Sequence, residues 1–303
     1  MKGVFEISGN SRYDDKIAER YHFPKNYRSV AERCIGDWIV YRETGAAKGS
    51  KAYIAVARVD RIDDDPNDSS HYYARVSQFY KFDHPVPYRD GTGRFAEQRL
   101  REMARPADAG VTLRGQSIRE LNPSDFVEIV ERGLSSTLAP ANRIRFELDP
   151  LHVDFETQRL LDEAPTARRI EAMLVNRKIR DAGFRHHVLD AYDNTCAVTG
   201  LRIINGGGKA EAQAAHIWPV GEGGPDIVQN GIALSATAHW LFDRHLISLD
   251  EQFRLLVSHN KVPTGLRQLF PAAGEPIRLP IDVHDHPDHR YVARHRERFG
   301  GLA

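Results

Sequence analysis

Apolar and polar positions alternate with a period of two through much of the first 115 residues, then change to helical spacing. The alternation is strongest in DWIVYRE (37–43), AYIAVARVDRID (52–63) and YYARVSQFYKF (72–82), which are rich in β-branched and aromatic residues. Successive side chains of a strand point to opposite faces, so this pattern predicts three strands of a compact, mostly β module. TGAAKGSK (44–51) reads as a hairpin loop and DDDPNDSS (63–70) as a polar turn cluster. From 121 onward the period lengthens. NPSDFVEIVERGL (122–134) offers an asparagine cap, an early proline and apolar positions at Phe126, Ile129 and Val130. SSTLAPANRIRFELDP (135–150) is irregular and reads as a linker, and 166–192 is helical with one glycine interruption.

The composition narrows the class of protein. Hydrophobic residues make up 41% and charged residues 28% of 303 positions, ordinary for a water-soluble fold. Lysine plus arginine equals aspartate plus glutamate at 42 each, so the chain is not coated in positive charge. A local basic stripe still suffices to neutralise phosphates. Arg168, Arg169, Arg177, Lys178, Arg180 and Arg185 crowd one helical stretch, either as a solvated face or as a phosphate-facing one. No stretch approaches the ~18 apolar residues that span a bilayer, and the start lacks the pattern of a signal peptide. Cys34 and Cys196 are the only cysteines. A cytoplasmic protein with free thiols is expected, without a membrane partner and without a structural zinc, which would need more thiolates.

The chemistry-bearing positions lie late in the chain. His216 lies within AQAAHIWP (212–219), three residues before Pro219, and the loop GEGGPD (221–226) follows. NGIALS (230–235) then leads into ATAHWLFDRH (236–245), where Ser235 is placed to cap a helix over about 236–243. His239 and Asp243 are four apart and share a helix face. Such a pair is often a plain surface contact, but an imidazole and a carboxylate at that spacing can also share a divalent cation.

The string CAVTG, AAHIWP, NGIALSATAHWLFDRHLISLD, over roughly 184–258, resembles the HNH endonucleases, whose ββα-metal core packs a hairpin on a short helix. The resemblance implies that His216 is a general base activating water against a phosphodiester. It implies that Asn230 bonds across the loop to hold that base, and that His239 binds the catalytic cation with Asp243 as a further ligand. Magnesium or manganese is the expected cofactor and double-stranded DNA the expected partner. Two positions depart from the family pattern: Ala215 stands where many relatives place a metal ligand, and only the first cysteine of the usual Cys-x-x-Cys pairs is present. Glu211 and Gln213, on the approaching strand, are alternative contributors. Without zinc, Trp218, Trp240, Leu241 and Phe242 would hold the element by apolar packing, with Cys196 buried among them. His245 lies close enough to support the site, and DVHDHPDHRYVARHRERF (282–299) reads as a polar, partly basic tail.

Residues 1–115 resemble the PUA superfamily, nearest the SRA-like and EVE-like domains, through YHFPKNY, GDWIVYRE and the strand pattern above. That resemblance implies a pocket for a base flipped out of duplex DNA. Tyr13, Asp14, Tyr21, His22, Phe23 and Tyr27 are its candidate wall and reader residues, with Trp38 and Tyr53 behind them. The expectation is an α+β chain: a PUA-like (SRA/EVE-like) β-barrel at 1–115, a helical linker at 116–180, and an HNH domain at 181–303. Arg177, Lys178, Arg180 and Arg185 would contact the DNA backbone. The function expected is a modification-dependent DNA endonuclease acting near a methylated or hydroxymethylated cytosine, with a homodimer as one route to double-strand breaks. The alternatives are a catalytically degenerate DNA-binding reader, or an HNH nuclease whose first domain senses something else.

Overall fold

The strands predicted from alternation form the centre of a six-stranded sheet in the computed structural model, which describes residues 1–8, 13–45, 49–103 and 109–299. In chain order these are β1 (Gly3–Ile7), β2 (Arg20–Pro24), β3 (Trp38–Glu43), β4 (Ala52–Asp64), β5 (His71–Pro87) and β6 (Ile118–Glu120). Their order across the sheet is β2-β5-β4-β3-β1-β6, with only β1 and β3 parallel. Register shifts at Tyr53/Ala55, Val56/Arg58 and Val59/Arg61 interrupt the long β4–β5 ladder, and such bulges bend and twist a strand. The tip of the loop expected at 44–51 includes 46–48, outside the described residues.

The architecture is mixed α+β. Helix α1 (Pro123–Gly133) starts where the sequence predicts: Asn122 Oδ1 accepts from the Ser124 N–H at 2.9 Å, and Phe126, Ile129 and Val130 are fully buried. Gly133 is required by close approach, since a Cβ there would sit 2.4 Å from the Phe82 ring. α2 (Phe155–Asp162) and α3 (Ala167–Val175) follow, then α4 (Arg177–Ala191). The break in the 166–192 helix falls at Asn176 rather than at the glycine. Asn176 leaves helical geometry, and its Oδ1 accepts from the Ile179 N–H at 3.2 Å, capping the next helix.

The chain divides into two compact units, 1–143 with 149–179, and 144–148 with 180–303. Most of the segment expected as a linker therefore folds into the first unit, because α1 carries an apolar face that packs on β4 and β5. The second unit contains β7 (Gln213–His216) paired antiparallel with β8 (Gly231–Leu234), helix α5 (Ala236–Asp243), the hairpin β9 (Ile247–Leu249) and β10 (Leu255–Val257), and α6 (His289–Arg296). One apolar core joins them, with Phe184, Val188, Cys196, Ala215, Ile232, Leu241, Phe242, Tyr291 and Val292 among its members. The stretch 282–299 is accordingly not a tail: Tyr291, Val292 and His295 are buried on the inner face of α6. Among the described residues no helix is long and apolar enough to cross a membrane.

Candidate active site

The β7–β8 hairpin and α5 bring the predicted histidines into one small element. His216 pairs with Gly231 at the end of β7, and Ile217 N–H donates to the Asn230 carbonyl at 2.9 Å. Gly231 is dictated by packing, as a Cβ would lie 2.3 Å from Val188 on α4. Asn230 is fully buried and its amide is used three times. Its Oδ1 accepts from Trp218 N–H at 2.8 Å, and its Nδ2 donates to the Trp218 and Pro225 carbonyls, each at 2.9 Å. The loop it clamps leaves no room at Gly224, where a Cβ would meet the Trp218 carbonyl oxygen at 1.9 Å.

His216 lies flat on Phe184, with ring centroids 3.7 Å apart and planes 8° from parallel. Its Nε2 is 3.0 Å from Asp226 Oδ1, and Arg180 Nε donates to Asp226 Oδ2 at 3.0 Å. Arg180 and Asp226 are nearly buried, at 9% and 8% side-chain exposure. Arg180 is thus placed inside the unit rather than on a DNA-facing surface. Sequence reading missed Asp226; the available signal was a lone acid in a glycine- and proline-rich loop ten positions after the histidine.

His239 presents a different arrangement. Its Nδ1 is 2.8 Å from Gln213 Oε1, and its Nε2 is 3.4 Å from Asp243 Oδ2 one helical turn on. An amide oxygen can only accept, so Nδ1 donates to Gln213, and Nε2 and the Asp243 carboxylate face each other across a gap that a shared proton or cation must bridge. One imidazole nitrogen and one carboxylate oxygen facing the same space form a donor set that fits a divalent cation whose remaining ligands are water and phosphate oxygens. Among the described residues no cluster of three His, Cys, Asp or Glu side chains is placed to hold an ion. Ala215, in the position where a strand ligand was sought, is buried in the core. Glu211 serves the helix instead. Its Oε1 accepts from the Ala236 N–H at 2.9 Å, doing the capping expected of Ser235, whose side chain makes no cap bond.

The other predicted residues are dispersed. Leu241 and Phe242 pack in the core, but Trp240 is 51% exposed with the Arg244 guanidinium 4.4 Å above its ring. Trp218 is half-buried and carries Arg294 over its ring at 4.0 Å. Cys196 is fully buried, its Sγ accepting from the Thr199 N–H. His245 has left-handed backbone (φ 52°) and its ring lies 4.6 Å from His295; burial pushes its pKa down. Arg185 pairs with Glu147 at 2.9 Å, while Arg177 and Lys178 are exposed in the first unit.

In the first unit, Tyr13, Tyr21, His22, Phe23 and Tyr27 line a cavity of about 430 Å³, together with Glu6, Asn26 and Ser117. Tyr21 and Phe23 form its floor: both are buried, and the Tyr21 hydroxyl donates to the Glu6 carbonyl at 2.7 Å. His22 stacks on Tyr73 at 4.5 Å and its Nε2 lies 2.9 Å from Asp65. Asp14 is exposed and ion-paired with Arg20, and Asp15 accepts from the His22 N–H at 2.8 Å. Burial raises the Asp15 pKa. Trp38 and Tyr53 belong to the core. Tyr53 is fully buried and its hydroxyl donates to Glu97, which Arg119 neutralises.

Comparison with known proteins adds one family. No curated protein matches the chain. Among solved structures, the modification-dependent TagI restriction endonuclease is 12% identical over 98% of this chain and 81% of its own, at a TM-score of 0.32. The N-terminal domain of Staphylothermus marinus McrB is 14% identical over 44% of this chain and 94% of its own, at 0.31. The type IV phosphorothioation-dependent restriction endonuclease ScoMcrA is 16% identical over 78% and 48%, at 0.19. Agreement at these scores is too loose to carry residue roles across. The family model described as HNH endonuclease matches 196–250, which spans β7, the Asn230 loop, β8 and α5. Residues 196–250 of this chain are an HNH endonuclease domain.

Proposed function

We propose that the chain is a modification-dependent, restriction-type DNA endonuclease, in which a PUA-like (SRA/EVE-like) first unit reads a modified base and the HNH unit hydrolyses a nearby phosphodiester. The observation that carries the nuclease reading is the orientation of His239. Gln213 engages one ring nitrogen and turns the other toward Asp243, while His216 stands on the neighbouring strand with a partner of its own.

His239 and Asp243 would hold magnesium or manganese, which when bound supplies positive charge against the phosphate oxygens. His216 takes a proton from water. The water oxygen bonds to phosphorus, the ester P–O bond on the far side breaks, and the departing oxygen is protonated by solvent. A positioned base of this kind contributes roughly 10²–10⁴-fold in rate. Asn230 keeps the strand end and the loop in register so that His216 does not drift.

The aromatic cavity of the first unit supports the reader half. Extruding a base costs a few kcal/mol of stacking and pairing, and stacking on aromatic walls returns about 1–3 kcal/mol per base. Tyr13, Tyr21, Phe23 and Tyr27 provide those walls, while Glu6, the carboxylate among the described lining residues, is held by Arg42 and Arg119, and Asp14 lies outside the lining. A single HNH site cuts one strand, so two copies would act together for a double-strand break.

One observation favours a second reading, a DNA-binding reader without catalysis: Ala215 supplies no ligand, leaving one imidazole and one carboxylate. Incubating plasmids with and without modified cytosine, in magnesium, manganese or chelator, decides between them. Cleavage confined to modified DNA and abolished by chelator is expected. Equal cutting of both plasmids sinks the modified-base claim, and tight binding of modified DNA with no cutting in either metal establishes the second reading.

A further inference from the structure

We infer that Asp226 is a positioning residue that fixes which nitrogen of His216 receives the proton from water, an inference that rests on His216 acting as the base. Neutral imidazole has two tautomers, and only a ring nitrogen without a proton can act as base. Asp226 Oδ1 lies 3.0 Å from His216 Nε2. An ionised carboxylate can only accept, so the ring proton belongs on Nε2 and the lone pair on Nδ1. That ring proton stays on Nε2 throughout, and the proton leaving water goes to Nδ1.

Three further contacts make the assignment more than a surface encounter. Arg180 Nε donates to the second oxygen of Asp226, so the carboxylate is held at both ends and its charge is matched in a nearly buried setting. Without that cation, burial would strongly disfavour the ionised carboxylate. The Phe184 face, 3.7 Å from the ring, restricts rotation that would exchange the two nitrogens. Asn230 Nδ2 donates to the carbonyl of Pro225, the residue before Asp226, while Oδ1 and Nδ2 hold Trp218, two residues after His216. One amide therefore ties both ends of the loop and brings Asp226 opposite His216. The His216 side chain remains 18% exposed, so solvent reaches the ring.

The Asp226→Asn variant gives a directional test. Arg180 would keep donating to the one remaining carbonyl oxygen, turning the amide NH₂ toward His216. Nε2 must then accept, and the ring proton moves to Nδ1, where it blocks the base. The measurement is a two-bond ¹H–¹⁵N correlation spectrum of imidazole in the full chain at about pH 8.5, where an ordinary imidazole is neutral, alongside single-turnover cleavage. The wild-type chain is expected to show protonated Nε2 on His216. Asp226→Asn is expected to shift the proton to Nδ1 and slow cleavage roughly 10²–10⁴-fold, with DNA affinity within about threefold. Asp226→Glu, which keeps a carboxylate, is expected to retain the wild-type tautomer.

A wild-type spectrum with protonated Nδ1 overturns the inference by itself, even if Asp226→Asn does not fold. An unchanged tautomer and rate in a folded Asp226→Asn chain overturns it as well. Failure of the underlying reading looks different: His216→Ala would cut as fast as wild type while the wild-type spectrum still showed protonated Nε2.

Discussion

Two histidines of the second unit rest on phenylalanine in nearly the same way, yet their surroundings divide their roles. His216 stacks on Phe184 at 3.7 Å and 8°, and His295 stacks on Phe242 at 3.7 Å and 10°. His295 is buried, its Nδ1 2.9 Å from Ser248 Oγ and its Nε2 3.0 Å from the Phe242 carbonyl. Both nitrogens are occupied by neutral partners, so the ring is a polar tie between α6, β9 and the end of α5. His216 has a carboxylate on one nitrogen and a side chain 18% exposed. Stacking orients an imidazole; the charge and number of its partners decide whether it can do chemistry.

The largest expected effect separates the two rings. His216→Ala should reduce single-turnover cleavage by roughly 10²–10⁴-fold with little change in melting temperature. His295→Ala should leave the rate per folded molecule within about threefold while destabilising the unit by about 2–4 kcal/mol, through lost packing and two orphaned partners. Cleavage assays beside chemical denaturation read both, and a catalytic loss in His295→Ala matching that of His216→Ala would erase the contrast.

The next effect concerns acid. Burial lowers the His295 pKa to about 4, with His245 and Arg298 adding in the same direction against a raising contribution from the Phe242 carbonyl. An imidazole of depressed pKa binds fewer protons folded than unfolded. Its stabilising contribution is therefore complete above about pH 6.5 and is lost as pH falls toward 4. The loss is on the order of 3 kcal/mol across that window. The slope of stability against pH in this range should be shallower in His295→Gln, which retains hydrogen-bonding capacity without titrating. Equal slopes would show that carboxylates alone govern acid unfolding.

Much of this was legible in the sequence, and the gaps have physical causes. Strands β3, β4 and β5 follow from their β-branched and aromatic runs, although β3 and the first half of β4 are buried on both faces rather than alternately, and α1 follows from its cap and apolar spacing. The spacing of His216, Asn230, His239 and Asp243 places them in one short element, and they lie at the end of β7, just before β8 and on α5. Asp226, Arg180 and Gln213 could not be assigned their contacts. The Arg180–Asp226 pair spans 46 positions, and nothing local distinguishes a buried arginine from its exposed neighbours Arg177 and Lys178. The tail 282–299 misled for a related reason: its apolar positions are few, and α6 is secured partly through a buried histidine rather than through leucines.

A pair of tryptophans offers the smallest test of the same principle. Both carry an arginine over the ring, Arg294 at 4.0 Å from Trp218 and Arg244 at 4.4 Å from Trp240. Trp218 is half-buried, with its ring 5.9 Å from Tyr291, so its arginine covers packed surface between the hairpin and α6. Trp240 is 51% exposed and lies between His239 and Asp243 in the chain, so burial does not explain it. An exposed aromatic with a guanidinium above it presents a flat, cationic face suited to a nucleotide. Trp240→Ala should change stability by less than about 0.5 kcal/mol and weaken DNA binding by about 1 kcal/mol, roughly fivefold. Trp218→Ala should reverse the order, with the larger change in unfolding. Fluorescence-anisotropy titration of labelled duplex, paired with thermal melts, measures both; unchanged affinity in Trp240→Ala would leave that ring without a part in binding.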